Sequence, residues 1–129
     1  MTLECSFDDW CAAEMARDLG ETADEAFFRR RSGHWRNVFD PSVNLMRGRN
    51  EDGSFQEPFS TYKWGGAFTE GNAWQYLWHV LQDPEDLVRL LGGKEAFAAK
   101  LDQLFVVRPD VEGLKRIPDV SGLIGLYAQ

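Results

Sequence analysis

The sequence predicts a mainly α fold: helical hairpins of the kind that build an α-toroid, with one long loop carrying a short β-hairpin. Three observations lead there. Apolar residues recur at helical spacing on both sides of Gly20. Helix start and stop signals punctuate residues 83–105. Between them, roughly thirty residues from Asp40 to Thr69 are rich in glycine, proline and polar side chains, a length that marks binding loops and lids rather than connectors.

In the first stretch, Leu3, Phe7, Trp10, Cys11, Met15 and Leu19 form an apolar stripe over residues 3–19, and Gly20 supplies the stop. Thr22 stands at the next expected N-cap with Glu25 three residues on, a capping box that opens a second helix running to about Val38. Phe27, Phe28, Arg31 and Trp35 lie along its inner side. The two-residue link makes the pair an antiparallel αα-hairpin, which Asp40-Pro41 ends. Within the loop, Asn50-Glu51-Asp52-Gly53 has the composition of a tight turn between short strands at 45–47 and 54–56. Helix is expected again over 71–80. Asp83 and Pro84 then supply an N-cap and a first helical position, and Gly92-Gly93 ends that short helix. A last helix covers Lys94 to Phe105, with Phe97, Leu101, Leu104 and Phe105 on one face. Past Arg108-Pro109 the sequence turns irregular and finishes on the apolar run 120–127, which includes Leu123, Ile124, Leu126 and Tyr127. The first stripe is under way by residue 3 and the last run has no partner, so both ends are expected to be cut from a larger fold.

Composition narrows the function. An apolar fraction of 43% is ample for a core, and 129 residues fit one domain or part of a larger one. With 21 acidic against 14 basic residues the net charge is −7, which repels a phosphate backbone and argues against nucleic acid as a partner. No apolar run approaches the ~20 residues of a membrane-spanning helix, so no membrane partner is expected. The start Met-Thr-Leu-Glu-Cys is not a signal peptide. Most of the many aromatic rings belong in a core, and some could stack on a ligand ring. Cys5 and Cys11, on one helix at 100° per residue, point about 240° apart, which excludes a mutual disulfide or a shared metal. Two buried thiols are expected.

Several common chemistries drop out. His34 and His79 lie far apart without metal-ligand spacing, so each is expected to be structural or exposed. There is no nucleophile elbow and no phosphate-binding glycine loop. Residues 48–59 have the length of a calcium loop, but its first and twelfth positions, Gly48 and Phe59, offer no side-chain oxygen. Arg29-Arg30-Arg31 is expected to be a solvated helix face, and Asp8-Asp9 a structural anchor. What remains is the stretch from Lys63 to Tyr76, Lys-Trp-Gly-Gly-Ala-Phe-Thr-Glu-Gly-Asn-Ala-Trp-Gln-Tyr. It places one carboxylate, Glu70, among aromatic rings where a glycine-rich loop meets a helix. Glycosidic cleavage needs a carboxylic acid that stays protonated near neutral pH to donate to the leaving oxygen. Trp64, Phe68 and Trp74 would raise the pKa of Glu70 by desolvation, while the helix N-terminus would favour the anion. On spacing alone, Glu70 serves equally well as such an acid or as a cap for the helix that Gly71 starts.

Glu70-Gly71-Asn72-Ala73-Trp74-Gln75-Tyr76, preceded by Trp64-Gly65-Gly66 and Phe68-Thr69, resembles the motif of the family 92 glycoside hydrolases, which are mostly exo-acting α-mannosidases. The resemblance covers nearly the whole chain. Phe7-Asp8-Asp9-Trp10, Asn37-Val38-Phe39-Asp40-Pro41, Phe55-Gln56-Glu57-Pro58-Phe59, Leu90-Leu91-Gly92-Gly93-Lys94 and 121–128 match in the same order. The chain departs from many relatives at Leu81-Gln82, where they carry Pro-His.

The resemblance implies part of an (α/α)6 barrel and an inverting hydrolysis of terminal α-mannosidic linkages in a mannose-containing glycan. It implies that Glu70 is the general acid and that Trp64, Asn72, Trp74 and Gln75 help form the sugar pocket. It also implies a general base in a Gly-Asn-Asp/Glu-Asp motif, which does not occur here, and a calcium cofactor whose ligands begin just past Gln129. No metal ligand is assigned within the chain. The parent enzyme is expected to be exported, with the remainder of the catalytic domain as this segment's partner. On its own the segment is expected to be inactive and to self-associate. The alternative is a non-catalytic helical fragment that binds glycan or another protein.

Overall fold

The computed structural model describes residues 1–107, so the apolar run 120–127 lies outside the described residues. α1 spans Thr2–Leu19 and stops where expected: Gly20 is left-handed at φ 78, and its amide turns back to the carbonyls of Ala16 and Arg17. α2 spans Thr22–Ser32 and packs antiparallel on α1. Its N-cap is Glu21, not Thr22, and no side chain caps it. The Glu21 amide is drawn 2.9 Å from the Ala16 carbonyl as part of the Gly20 turn, so the chain re-enters helix one residue early and the expected Thr22–Glu25 capping box does not form. After Ser32 the chain tightens into a 3-10 helix, Gly33–Val38, instead of continuing as α-helix.

The buried face of α1 differs from the apolar stripe. Leu3 is buried, but Met15 and Leu19 are 66% and 71% exposed, and the face beneath consists of Leu3, Ser6, Asp9, Ala13 and Ala16. The reason is close packing: Ala13 and Ala16 leave room for α2, the Ser6 hydroxyl returns to the Thr2 carbonyl (2.7 Å), and Asp9 accepts from Arg31 of α2 (3.1 Å). Both cysteines are exposed, which corrects the expectation of buried thiols. Of the residues expected along the inner side of α2 and its continuation, Trp35 alone is fully buried; Phe28 is half-buried, and Phe27 and Arg31 are exposed.

The loop does carry a β-ladder, but with a different partner. β1 (Phe39–Asp40) pairs antiparallel with β2 (Leu45–Met46), in the register Phe39 opposite Met46 and Asp40 opposite Leu45. The Asp40 carboxylate closes this hairpin by accepting from the Ser42 amide (2.9 Å) and hydroxyl (2.6 Å). The turn at Asn50–Gly53 is present, closed by Asn50 N–H to the Ser54 carbonyl at 2.8 Å, and it joins Arg49 to Phe55 in a single bridge rather than 45–47 to 54–56.

α3 is four residues long, Ala73–Tyr76, where helix was expected over 71–80. Beyond it the Trp78 and His79 amides bond three residues back, to Gln75 and Tyr76, so the helix winds down instead of propagating. α4 spans Pro84–Leu90 with Asp83 as its N-cap, and α5 spans Lys94–Val106, both close to expectation. Leu104 is buried, whereas Phe105 lies on the exposed side of α5. The core gathers around the ladder and α3: Trp35, Leu45, Met46, Ala73 and Leu77 are essentially inaccessible, flanked by Leu3, Phe39, Val80, Leu87, Leu91 and Leu104. The four-residue α3 is therefore seated directly on the best-packed part of the molecule.

Candidate active site

Glu70 lies in a loop that closes on itself. The Gly65 amide donates to the Gly71 carbonyl across the loop mouth (2.9 Å), and Gly65 and Gly66 take the left-handed conformation at φ 76 and 72 that this turn requires. Glu70 is itself left-handed, at φ 50. The other described non-glycine residue with positive φ is Asn44, a type that tolerates this region well. For a glutamate the same conformation costs about 1–2 kcal/mol.

The chain then enters α3 through a complete capping box. Asn72 Oδ1 accepts from the Trp74 and Gln75 amides (3.0 and 3.2 Å), and the Asn72 amide donates to Gln75 Oε1 (3.0 Å). The cap of this helix is thus Asn72, not Glu70. The Glu70 side chain is exposed, and no hydrogen bond or ion pair to the described residues engages its carboxylate.

An open cavity of about 340 Å³ adjoins Glu70, lined by Gly71, Gln75, Tyr76, Trp78, His79 and Leu104 in addition to it. Of the residues expected at the site, Glu70 and Gln75 reach this lining and Trp64, Asn72 and Trp74 do not. Trp64 is half-buried at the start of the glycine turn, Asn72 is 2% exposed beneath the loop, and Trp74 is buried with the Lys100 ammonium 4.1 Å from its ring centroid. Burial holds the Lys100 ammonium below its ordinary pKa.

Trp78, Tyr76 and His79 shape the cavity; no role was expected of Trp78, and His79 was expected to be structural or exposed. Trp78 packs edge-on to Phe97 of α5 (5.3 Å), and Tyr76 stacks on His79 (6.0 Å) and tilts against Phe68 (4.9 Å). Tyr76 closes the quoted motif, but its reach back to Thr69 is a loop contact that spacing does not display. Burial raises the Tyr76 phenol above its ordinary value, with the nearby Glu4 carboxylate of α1 pushing the same way against the Thr69 backbone.

A second cavity of about 170 Å³ lies on the other side of the glycine turn, between Arg47, Gln56, Phe59, Lys63 and Phe68. Arg47 anchors its wall: it donates to Asp40 (3.0 Å) and to the Gln56 carbonyl (2.9 Å), pairs with Glu57, and lies over the Phe59 ring. Among the described residues no three His, Cys, Asp or Glu side chains converge, so these residues do not compose a calcium site. No helix among them is long and apolar enough to cross a membrane.

Known proteins match this arrangement. The model of the glycosyl hydrolase family 92 catalytic domain matches residues 1–129. A solved family GH92 α-mannosidase from Bacteroides thetaiotaomicron, in complex with mannoimidazole, is 34% identical and superposes with a TM-score of 0.84 over 98% of this chain and 17% of its own. A family GH92 inverting mannosidase from the same organism is 34% identical, with a TM-score of 0.78 over 89% of this chain and 16% of its own. A protein of Arthroderma benhamiae described as an uncharacterized secreted glycosidase is 29% identical over 126 residues, 80% of this chain and 16% of that one. The chain therefore spans about one sixth of the length of these relatives. The solved family structures have an (α/α) barrel catalytic domain, and the mainly helical fold described above matches them. With a family model matched from end to end and solved members superposing on its hairpins, the chain belongs to glycosyl hydrolase family 92, as part of the catalytic domain.

Proposed function

We propose that the protein carrying this chain hydrolyses terminal α-mannosidic linkages with inversion, and that Glu70 is the general acid. The observation that carries the reading is the conformation of Glu70 in a chain of this family. An unpaired carboxyl is held at a left-handed, costly φ beside an aromatic-lined cavity, while the capping duty that would explain a carboxylate there is performed by Asn72. The solved relatives suggest the substrate class: one is an inverting mannosidase and another is an α-mannosidase in complex with mannoimidazole. Export of the protein is inferred in the same way, from the relative described as secreted.

In this mechanism the Glu70 carboxylic acid gives its proton to the glycosidic oxygen as the bond from that oxygen to the anomeric carbon breaks. Water adds to the opposite face of the sugar and loses a proton to a base. Inverting enzymes hold the two carboxyl groups about 6.5–9.5 Å apart to admit that water. The base motif of the family is absent from these residues, so the 129-residue chain by itself is proposed to be inactive. The rings of Tyr76, Trp78 and His79 give the sugar an aromatic wall beside the acid, with Gln75 also lining the cavity. Asn72 and Trp74 support that wall from below, through the α3 cap and the core.

The test compares leaving groups in the complete enzyme. Glu70→Gln is expected to lower turnover of a mannosyl disaccharide about 10²-fold or more, and to spare an aryl mannoside whose acidic leaving group needs little protonation. Small and equal losses on both substrates would remove Glu70 from the acid role.

A further inference from the structure

The loop that presents Glu70 is gripped by one hydroxyl. Tyr76 Oη donates to the Thr69 carbonyl (2.8 Å) and accepts from the Thr69 amide (3.0 Å), so a single side chain satisfies both backbone groups of the residue before Glu70. The Thr69 carbonyl belongs to the peptide plane that also contains the Glu70 nitrogen. Holding that plane fixes the backbone on the N-terminal side of Glu70. On its other side, the Gly71 carbonyl is held by the Gly65 amide, and the Asn72 amide by Gln75. The costly φ of Glu70 is thus imposed from both ends.

The ring reaches Thr69 because Gly71 has no side chain. A Cβ there would stand 2.9 Å from Tyr76 Cε2 and 3.1 Å from Cδ2, closer than packed carbon atoms approach, so this edge of the ring packs against the backbone that follows Glu70. Tyr76 and Glu70 also line the same cavity.

We propose that Tyr76 is the positioning residue of the acid: its hydroxyl clamps Thr69 and so holds the Glu70 carboxyl where the leaving oxygen will stand. The proposal rests on the reading of Glu70 as general acid. Ring packing against Phe68 and His79 would explain an aromatic side chain at this position, but not a hydroxyl bonded twice to Thr69.

Tyr76→Phe separates the two roles, since it keeps the ring and removes the clamp. In the complete enzyme it is expected to lower turnover of a mannosyl disaccharide about tenfold more than that of 2,4-dinitrophenyl α-mannoside, because a misplaced acid matters only where protonation is needed. Hydrogen exchange should quicken over 64–72 and stay unchanged in α4, away from the phenol's other neighbour, Glu4 of α1, which also verifies that the variant is folded. Equal losses on both substrates, no loss on either, or unaltered exchange over 64–72 would overturn the clamp. Glu70→Gln, measured alongside, distinguishes the two failures. If Glu70→Gln shows the leaving-group difference and Tyr76→Phe does not, the clamp alone falls. If Glu70→Gln shows none, the acid reading falls and the clamp with it.

Discussion

At the scale of single residues, the site is a conflict between conformation and chemistry that the fold holds in place. Glu70 occupies a backbone region that suits glycine or asparagine, and its carboxylate forms no bond to the described residues in compensation. Replacing it with a residue that tolerates φ 50 should therefore make the protein more stable. Glu70→Asn is expected to raise unfolding free energy by about 0.5–1 kcal/mol, part of the left-handed penalty, while removing the proposed acid. Urea denaturation of the two proteins measures it, and an Asn variant less stable than the parent would show that the Glu70 conformation carries no strain. The sequence made the position legible through its setting, one carboxylate between a glycine turn and a helix. It did not reveal that Asn72 takes the cap, because Asn72 and Glu70 are both plausible caps and only the backbone angles choose between them.

At the scale of elements, ion pairs join segments that the chain separates widely. Arg36, in the 3-10 helix after α2, pairs with both Asp83 and Asp86 and so ties the first hairpin to the start of α4. Arg47 of the loop ties Asp40 of β1 to the Gln56 carbonyl. Burial works against ionisation of Asp40, but the Ser42 hydroxyl and amide and the Arg47 guanidinium outweigh it and hold the carboxyl below its ordinary value of 3.8. A depressed folded-state pKa stabilises the fold above the unfolded value, and that stability is lost as pH falls through the folded one. The protein is accordingly expected to lose stability as pH drops below about 3.8, and Asp40→Asn to flatten that part of the profile. Melting temperatures of both proteins from pH 5 to 2 check this; identical slopes would mean that Asp40 is not the group responsible. Asp86 is held low in the same sense by Arg89 and Arg36 against its burial, so some acid sensitivity remains in the variant.

At the scale of the whole molecule, the apolar surface is unevenly covered. Leu3 and Trp35 are buried, yet Met15, Leu19, Phe27 and Leu81 are exposed on the described surface. Each large apolar side chain left in water forgoes about 1.5–3 kcal/mol of burial, and a few of these rival the 5–15 kcal/mol margin of a whole domain. The 129-residue chain is expected to self-associate through the α1–α2 hairpin, where Met15, Leu19 and Phe27 stand. Light scattering over a concentration series should show mass rising with concentration, and Met15→Lys with Leu19→Lys should suppress the rise. A monomer at every concentration would mean that these side chains need no cover.

Much of the architecture was legible because its causes are local. Gly20 ends α1 through its own left-handed backbone, Asp83 and Pro84 start α4 within one turn, and Gly92-Gly93 separate α4 from α5. Each signal acts within about four residues, the reach of a helical hydrogen bond, so sequence spacing carries it. Which face of α1 is buried was not local, because the small side chains of Ala13 and Ala16 let α2 approach where the larger apolar stripe would not. The partner of β2 was not local either: 45–46 could pair with either flank, and the Asp40–Ser42 turn and the Arg47 pair decided for β1. The sequence by itself determined where α1, α4 and α5 lie, and its resemblance to the family singled out Glu70 as the candidate acid. The tertiary structure alone decided the left-handed backbone that presents Glu70 and the Tyr76 clamp that holds it. Those depend on loop closure between Gly65 and Gly71 and on the missing Cβ that lets the phenol approach, and such close approaches exist only once the chain has folded.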